Sequence, residues 1–254
     1  MLRLLFTSGY TVPEMIIYGA IMIIVLVFSL SIHEFMHGYA AYRLGDDTAR
    51  LQGRLTLNPL AHLDPIGALM MLLAGFGWAK PVPVNYNRLT RFKRRDTSVR
   101  IVSLAGVTAN FLTAFIAYFL FLTVRIIGIY SGLIGPTSDI GSAGLSFGGN
   151  LIVALQMLMY WMYFFNLMLM AFNLLPIPPL DGYHFIETFL PYKWKQKIAG
   201  FERYFVYIFL ALILMGNFLS FSPLSQLISW IEYPFSYIIQ KPIEALASFV
   251  VSFL

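Results

Sequence analysis

Apolar residues run along this chain in long blocks, not in the stripes and alternations of a water-soluble fold. A membrane-spanning helix needs about 20 predominantly apolar residues, and that pattern is met from Val12 to Tyr42, from Ile101 to Ile129 and from Leu151 to Leu175. A fourth block runs from Phe205 to Phe221. The last, Leu227 to Leu254, is long enough but holds Glu232, Lys241, Glu244 and two prolines. It therefore lies between a span and a helix resting in the interface, and a span is expected. The run from Ile66 to Ala79 is short for a crossing and contains Gly67, Gly75 and Gly77, so a re-entrant or interfacial segment is expected there. On either side of it, Arg50 to Asn58 and Val82 to Tyr86 are short, alternating or β-branched stretches bounded by Gly and Pro, a pattern that favours strands. The pattern as a whole predicts an all-α polytopic membrane protein: a bundle of about five transmembrane helices with a small membrane-associated β-rich loop over 50–86.

Composition agrees with this pattern and narrows it. Of 254 residues, 59% are hydrophobic and 11% charged, with a mean hydropathy of +0.74, whereas soluble domains average about 45–50% apolar and about 25% charged. An integral membrane protein is expected, organised as one domain over 1–254 with its core at about 12–190 and accessory C-terminal helices at about 204–254. The apolar N-terminal run lacks a small-residue cleavage pattern and leads straight into a charged motif, so it is read as a retained span, not a signal peptide. There is no cysteine, which removes disulfides, thiolate metal sites and cysteine nucleophiles together.

The net charge of +5 does not point to nucleic acid, because the cations lie between apolar blocks. Fourteen of the 17 Lys and Arg fall in two loops, ten between Arg43 and Arg100 and four between Lys193 and Arg203, whereas the loop from Tyr130 to Asn150 has none. The positive-inside rule then puts both basic loops in the cytoplasm and the N-terminus outside.

The chemistry concentrates in His33-Glu34-Phe35-Met36-His37, near the cytoplasmic end of the first block. Residues four apart on a helix differ by about 40° of rotation and one turn of rise, so both imidazoles face one way and can hold one ion, as a zinc site requires. Glu34 sits about 100° round the helix, within reach of a water on that ion. A pair of satisfied histidines is the blander reading, but ionisable groups inside a membrane are costly and mark function. A catalytic zinc takes three protein ligands, and His62, His184 and the aspartates are the remaining candidates. Topology favours Asp181, which follows the third span on the same side as His33 and His37, although Asp-Gly is by itself a common turn. His62 and Asp64 are more simply read as turn caps before Asp64-Pro65, and His184 as an interfacial histidine.

These residues resemble the site-2 proteases, intramembrane zinc metalloproteases of peptidase family M50. The resemblance rests on His33-Glu34-Phe35-Met36-His37 and on Asn173-Leu174-Leu175-Pro176-Ile177-Pro178-Pro179-Leu180-Asp181-Gly182. It extends to Gly106-Val107-Thr108-Ala109-Asn110, where the family's usual proline after the glycine is Val107. It covers most of residues 20–190. It implies one zinc per chain held by His33, His37 and Asp181, Glu34 as general base, and roles for Asn173 and Asn110 in substrate positioning or oxyanion contact. It further implies transmembrane protein substrates, a bilayer environment, and the minimal type without PDZ or CBS domain. The segment from Gly53 to Pro65 is similar to bacterial and archaeal members of that type, implying a prokaryotic cell membrane. Ser29 and Ser31 would keep the pocket wet, and a strand edge between Arg50 and Tyr86 would accept an unwound substrate. A non-proteolytic scaffold or an ion or solute transporter with a structural metal site is the alternative. A transporter gives no reason for Glu34 between two ligand-spaced histidines, and a scaffold would be expected to have lost a ligand or the glutamate, whereas all four are present.

Overall fold

A computed structural model of the chain describes residues 12–67, 78–135, 146–201, 204–205, 207, 211–212 and 223–252. Among the described residues, three helices are long and apolar enough to cross a membrane, and they coincide with the first three apolar blocks. They are α1 (Val12–Arg43), α4 (Arg95–Tyr130) and α5 (Phe147–Asn173). Between them lie the short helices α2 (Thr48–Leu51) and α3 (Pro59–His62); α6 (Asp181–Glu187), α7 (Tyr192–Ala199) and the long α8 (Pro223–Val251) follow α5. Most of the expected span at 205–221 and of the re-entrant segment at 66–79 lies outside the described residues.

The three long helices pack on one another through two apolar clusters. Tyr18, Met22, Val25 and Leu26 of α1 bury against Met157, Phe165 and Leu169 of α5. Val107, Ala114, Ala117 and Tyr118 of α4 meet Tyr163, Leu167, Met170 and Ala171 of α5, with Ile239 and Ile243 of α8 closing that cluster. The alanines on α4 let α5 approach, as small residues do between membrane helices.

Helix α8 runs alongside α4 in the same direction, with Phe235 on Phe111 and Glu244 on Tyr118. Two side-chain hydrogen bonds clip it in place, from Tyr118 Oη to Glu244 Oε1 at 2.9 Å and from Gln240 Nε2 to Tyr163 Oη at 2.9 Å. It is not among the described helices that qualify as spans by length and composition. Trp230, Tyr233 and Tyr237 cover its exposed face.

The expected β-rich loop differs from what forms. Among the described residues, 50–86 contains one isolated antiparallel bridge, Leu63 with Ala79, and no sheet. The reasons are local. Asn58 caps α3, its side chain accepting from Leu60 N, and Pro59 sits at the start of the helix, where its missing N–H costs nothing. Residues 80–85 are extended, but Pro81 and Pro83 carry no N–H, which empties one edge of the strand because alternate residues point the same way.

Buried groups tie the segment to itself and to the turn that follows α1 instead. Arg54 Nη2 donates to the carbonyls of Lys80 and Pro81 at 2.6 and 3.2 Å. Buried Asp46 accepts from Thr48 N and Thr48 Oγ1 through one oxygen and from Asn85 N through the other. Gly45, at φ +110°, makes the turn out of α1 where a side chain would press on the Arg88 carbonyl.

Candidate active site

Helix α1 presents His33 and His37 on one face, both buried. Asp181 arrives from a distant part of the sequence, at the first residue of α6, after Pro176, Pro178 and Pro179 have stopped α5 from continuing. The three groups meet. His33 Nε2 and His37 Nε2 lie 2.9 Å apart, and each is 3.1 Å from Asp181 Oδ2.

Two glycines allow this approach. A Cβ on Gly106 of α4 would collide with His37 Nε2 and stand 2.7 Å from His33 Nδ1, so α4 passes directly against the imidazoles. A Cβ on Gly182 would collide with the Leu174 carbonyl and stand 2.7 Å from that of Leu175, so Asp181 is held where the chain folds back on the end of α5.

The hydrogen bonds behind the imidazoles decide what faces the centre. His37 Nδ1 lies 2.8 Å from the backbone carbonyl of Val102, which can only accept, so the proton of a neutral ring sits on Nδ1. His33 Nδ1 lies 2.5 Å from Asn110 Oδ1, again an acceptor. Both Nε2 atoms then carry lone pairs, turned toward each other and toward Asp181 Oδ2, a buried oxygen without a hydrogen-bond donor. Three converging acceptors repel unless a cation lies among them. A tetrahedral zinc with ligands at about 2.0–2.1 Å spaces its donor atoms about 3.3 Å apart, close to the separations here. Among the described residues this is the one group of three potential metal ligands, so the donor set fits a zinc ion in number, chemistry and spacing.

Glu34, half-buried on the next face of α1, accepts a hydrogen bond from the main-chain N–H of Val82 at 2.8 Å. Val82 itself packs on Gly38, one turn further along α1. The extended segment therefore lies directly over the base.

The other candidates fall into different places. Asn110 is fully buried behind His33. Asn173 donates from Nδ2 to the Leu169 carbonyl of its own helix at 3.0 Å. His62 is buried with Nε2 2.7 Å from the Thr56 carbonyl, and Asp64 accepts from the N–H groups of Ile66 and Gly67; both serve turns. His184 lies 3.8 Å from Glu187, away from the three converging groups. The hydroxyls of Ser29 and Ser31 bond back to their own helix, at Val25 O and Val27 O.

Two residues beyond those expectations belong to the site. Val82 contributes through its backbone, and no side-chain pattern announces that. Asn166 hydrogen-bonds to Asn110; an asparagine inside an apolar helix is a signal of its own.

A family model described as peptidase family M50 matches residues 21–216. The chain is 39% identical over 209 residues to the "Putative zinc metalloprotease YwhC" of Bacillus subtilis, an alignment covering 82% of this chain and 84% of that protein. It is 30% identical over 203 residues to the "Putative zinc metalloprotease Rip2" of Mycolicibacterium smegmatis, covering 78% of this chain and 69% of that one. The Rip2 of Mycobacterium tuberculosis is 28% identical over 215 residues, covering 82% and 72%. No solved structure matches the chain significantly.

Proposed function

The chain belongs to peptidase family M50 and is a zinc metalloprotease, and we propose that it hydrolyses peptide bonds within or near the transmembrane segments of membrane-protein substrates. The observation that carries this reading is the convergence of His33 Nε2, His37 Nε2 and Asp181 Oδ2 between apolar helices that qualify as membrane spans. In this reading the three residues hold one zinc ion per chain. Bound there, zinc supplies Lewis acidity, which polarises a scissile carbonyl and acidifies the attacking water.

The chain's own residues do the rest. Glu34, one position beyond His33, takes the proton of the attacking water and returns it to the leaving amine nitrogen. The Val82 N–H holds one oxygen of that carboxylate, leaving the other to take the proton. Asn173 stands eight positions before Asp181, at the end of α5, and positions the substrate on that side. A helical substrate must unwind before its carbonyl can be attacked, because its peptide groups are bonded to one another.

The protein is multi-pass in a prokaryotic cell membrane, with the loops at 43–100 and 182–203 cytoplasmic and 130–148 external, and the centre near the cytoplasmic side. The test uses purified protein and a panel of single-span substrates, with and without a chelator. Cleavage that a chelator abolishes, that zinc restores and that Glu34→Gln lacks supports the reading. Zinc binding without cleavage of any substrate in the panel would favour a scaffold or transporter.

A further inference from the structure

Behind His33 lies a chain of buried polar groups that links all three long helices. Asn110 of α4, Asn166 of α5 and Ser29 of α1 are each fully buried. Asn110 Nδ2 donates to Asn166 Oδ1 at 2.7 Å. Asn166 Nδ2 donates to Ser29 Oγ at 2.8 Å and to the Met162 carbonyl at 2.8 Å. Ser29 Oγ in turn donates to the Val25 carbonyl at 2.8 Å.

Every polarity in this chain follows from its two backbone ends. Carbonyls only accept. Ser29 must spend its proton on Val25 O, so its oxygen is left to accept. Asn166 faces Met162 O and Ser29 Oγ on one side, two acceptors, so that side is its amide nitrogen. Its other side is then the oxygen, which can be satisfied only by the nitrogen of Asn110. Asn110 is thereby turned with its oxygen toward His33, and His33 must carry its proton on Nδ1, leaving Nε2 bare.

We propose that Asn166 is a positioning residue: working through Asn110, and anchored by Ser29 and Met162, it fixes which end of the Asn110 amide meets His33 and so holds that imidazole in its metal-binding tautomer and orientation. His37 gets the same setting in one step, from the carbonyl of Val102. His33 needs a side chain to do it, and an asparagine can present either end. Without Asn166, the Asn110 amide nitrogen keeps only a long contact of 3.5 Å to the Ser29 carbonyl, too weak a hold to stop it turning to Nδ1, which would move the ring proton to Nε2 and block the ligand position. Groups hydrogen-bonded to a metal-binding histidine commonly change metal affinity by about 10–100-fold when removed. The inference rests on the reading of His33 as a zinc ligand.

The test separates orientation from packing. Zinc affinity is measured by chelator competition for the wild type, Asn166→Leu, Asn110→Asp, the double variant and Ser29→Ala, with the melting temperature of each metal-free protein alongside. Asn166→Leu, of similar volume, is expected to weaken zinc binding about 10-fold or more. In Asn110→Asp both ends of the side chain accept, so an acceptor meets His33 whatever Asn166 does; the acceptor turned toward Asn166 Oδ1 lowers stability in that background, which the metal-free melting temperature reads. There the same Asn166→Leu change should cost less than about threefold, a coupling that a packing role does not produce. Ser29→Ala removes one of the two acceptors that orient the Asn166 amide and should weaken binding in the same direction, which keeps the question answerable if the leucine variant does not fold. Equal losses from Asn166→Leu in both backgrounds, or wild-type affinity in both Asn166→Leu and Ser29→Ala, would overturn the proposal while leaving the zinc site standing. A wild type that binds no zinc would remove the site reading and this inference with it.

Discussion

The main-chain N–H of Val82 donates to Oε2 of Glu34 at 2.8 Å, so the group assigned as the base is held by backbone from a segment 48 positions away. A hydrogen bond to a charged group contributes about 1.5–3 kcal/mol, and about 1.4 kcal/mol is a factor of ten in rate. Val82→Pro deletes the donor and should reduce cleavage about tenfold or more with zinc content unchanged. Val82→Ala keeps the N–H and loses buried apolar packing, that beside Gly38 included, costing about 1–2 kcal/mol of stability with turnover nearly kept. Parallel cleavage assays, melting curves and elemental analysis compare the two; equal losses of turnover would assign the effect to packing.

Glu34→Gln separates binding from chemistry. The amide oxygen can still accept from Val82, so the local structure should persist and zinc should stay bound. Losing general acid–base catalysis costs about 10²-fold or more, so single-turnover cleavage should fall at least that far. Turnover near that of the wild type would leave Glu34 without its assigned role.

Three donors, not two, should set zinc occupancy. His33→Ala, His37→Ala and Asp181→Asn are each expected to lower bound zinc by elemental analysis after dialysis, Asp181→Asn because it keeps the shape and removes the charge that balances the ion. Full occupancy in a His33→Ala/His37→Ala double variant would dismiss the assignment.

How much of this was legible in the chain depends on how local each signal is. His33 and His37 share one helical turn, so spacing alone puts them on one face. Asp181 is 144 positions beyond His37, and only counting spans and cations brings it to the same end. The first three apolar blocks became α1, α4 and α5 with ends within a few residues, because a long apolar run has few other ways to satisfy its backbone. The loop at 50–86 was harder. Its Pro-Val-Pro-Val alternation looks like a strand, yet the same prolines delete the donors a ladder needs, and the segment is held by Arg54, Asp46 and Glu34 instead. Those partners are tertiary, and no window of local sequence contains them. The role of Asn166 is non-local in the same way: it lies in a hydrogen bond to Asn110, 56 positions earlier.

Topology can be tested at two described positions. The cysteine-free sequence gives a clean background for Arg91→Cys, before α4, and Leu133→Cys, after it. An impermeant thiol reagent added outside intact cells should label residue 133 and spare residue 91 until the membrane is opened. The reverse pattern would invert the orientation drawn from the cations.

The last prediction concerns residues that carry no chemistry of their own. Gly106 and Gly182 lie against the metal-binding groups so closely that a methyl group at either would overlap its neighbours: the imidazoles of His33 and His37 at Gly106, the carbonyls of Leu174 and Leu175 at Gly182. Neither has a positive φ, so alanine is compatible with the backbone at both, and any effect must come from space alone. In a close-packed interior the neighbour has to move, and overpacking of this kind costs about 1–3 kcal/mol. At Gly106 the first atoms to move are the ring nitrogens themselves, and at Gly182 the segment that carries Asp181. Gly106→Ala and Gly182→Ala should therefore both lower zinc affinity without altering a ligand, and Gly106→Ala should do so even if α4 shifts enough to keep the fold. Gly200→Ala, where the added carbon would meet nothing nearer than 3.5 Å, is the control and should bind zinc as the wild type does. Chelator competition reads all three. Wild-type affinity in Gly106→Ala would mean that α4 does not press on the histidines as tightly as its packing indicates, and the fit of the three donors to one ion would then need another explanation.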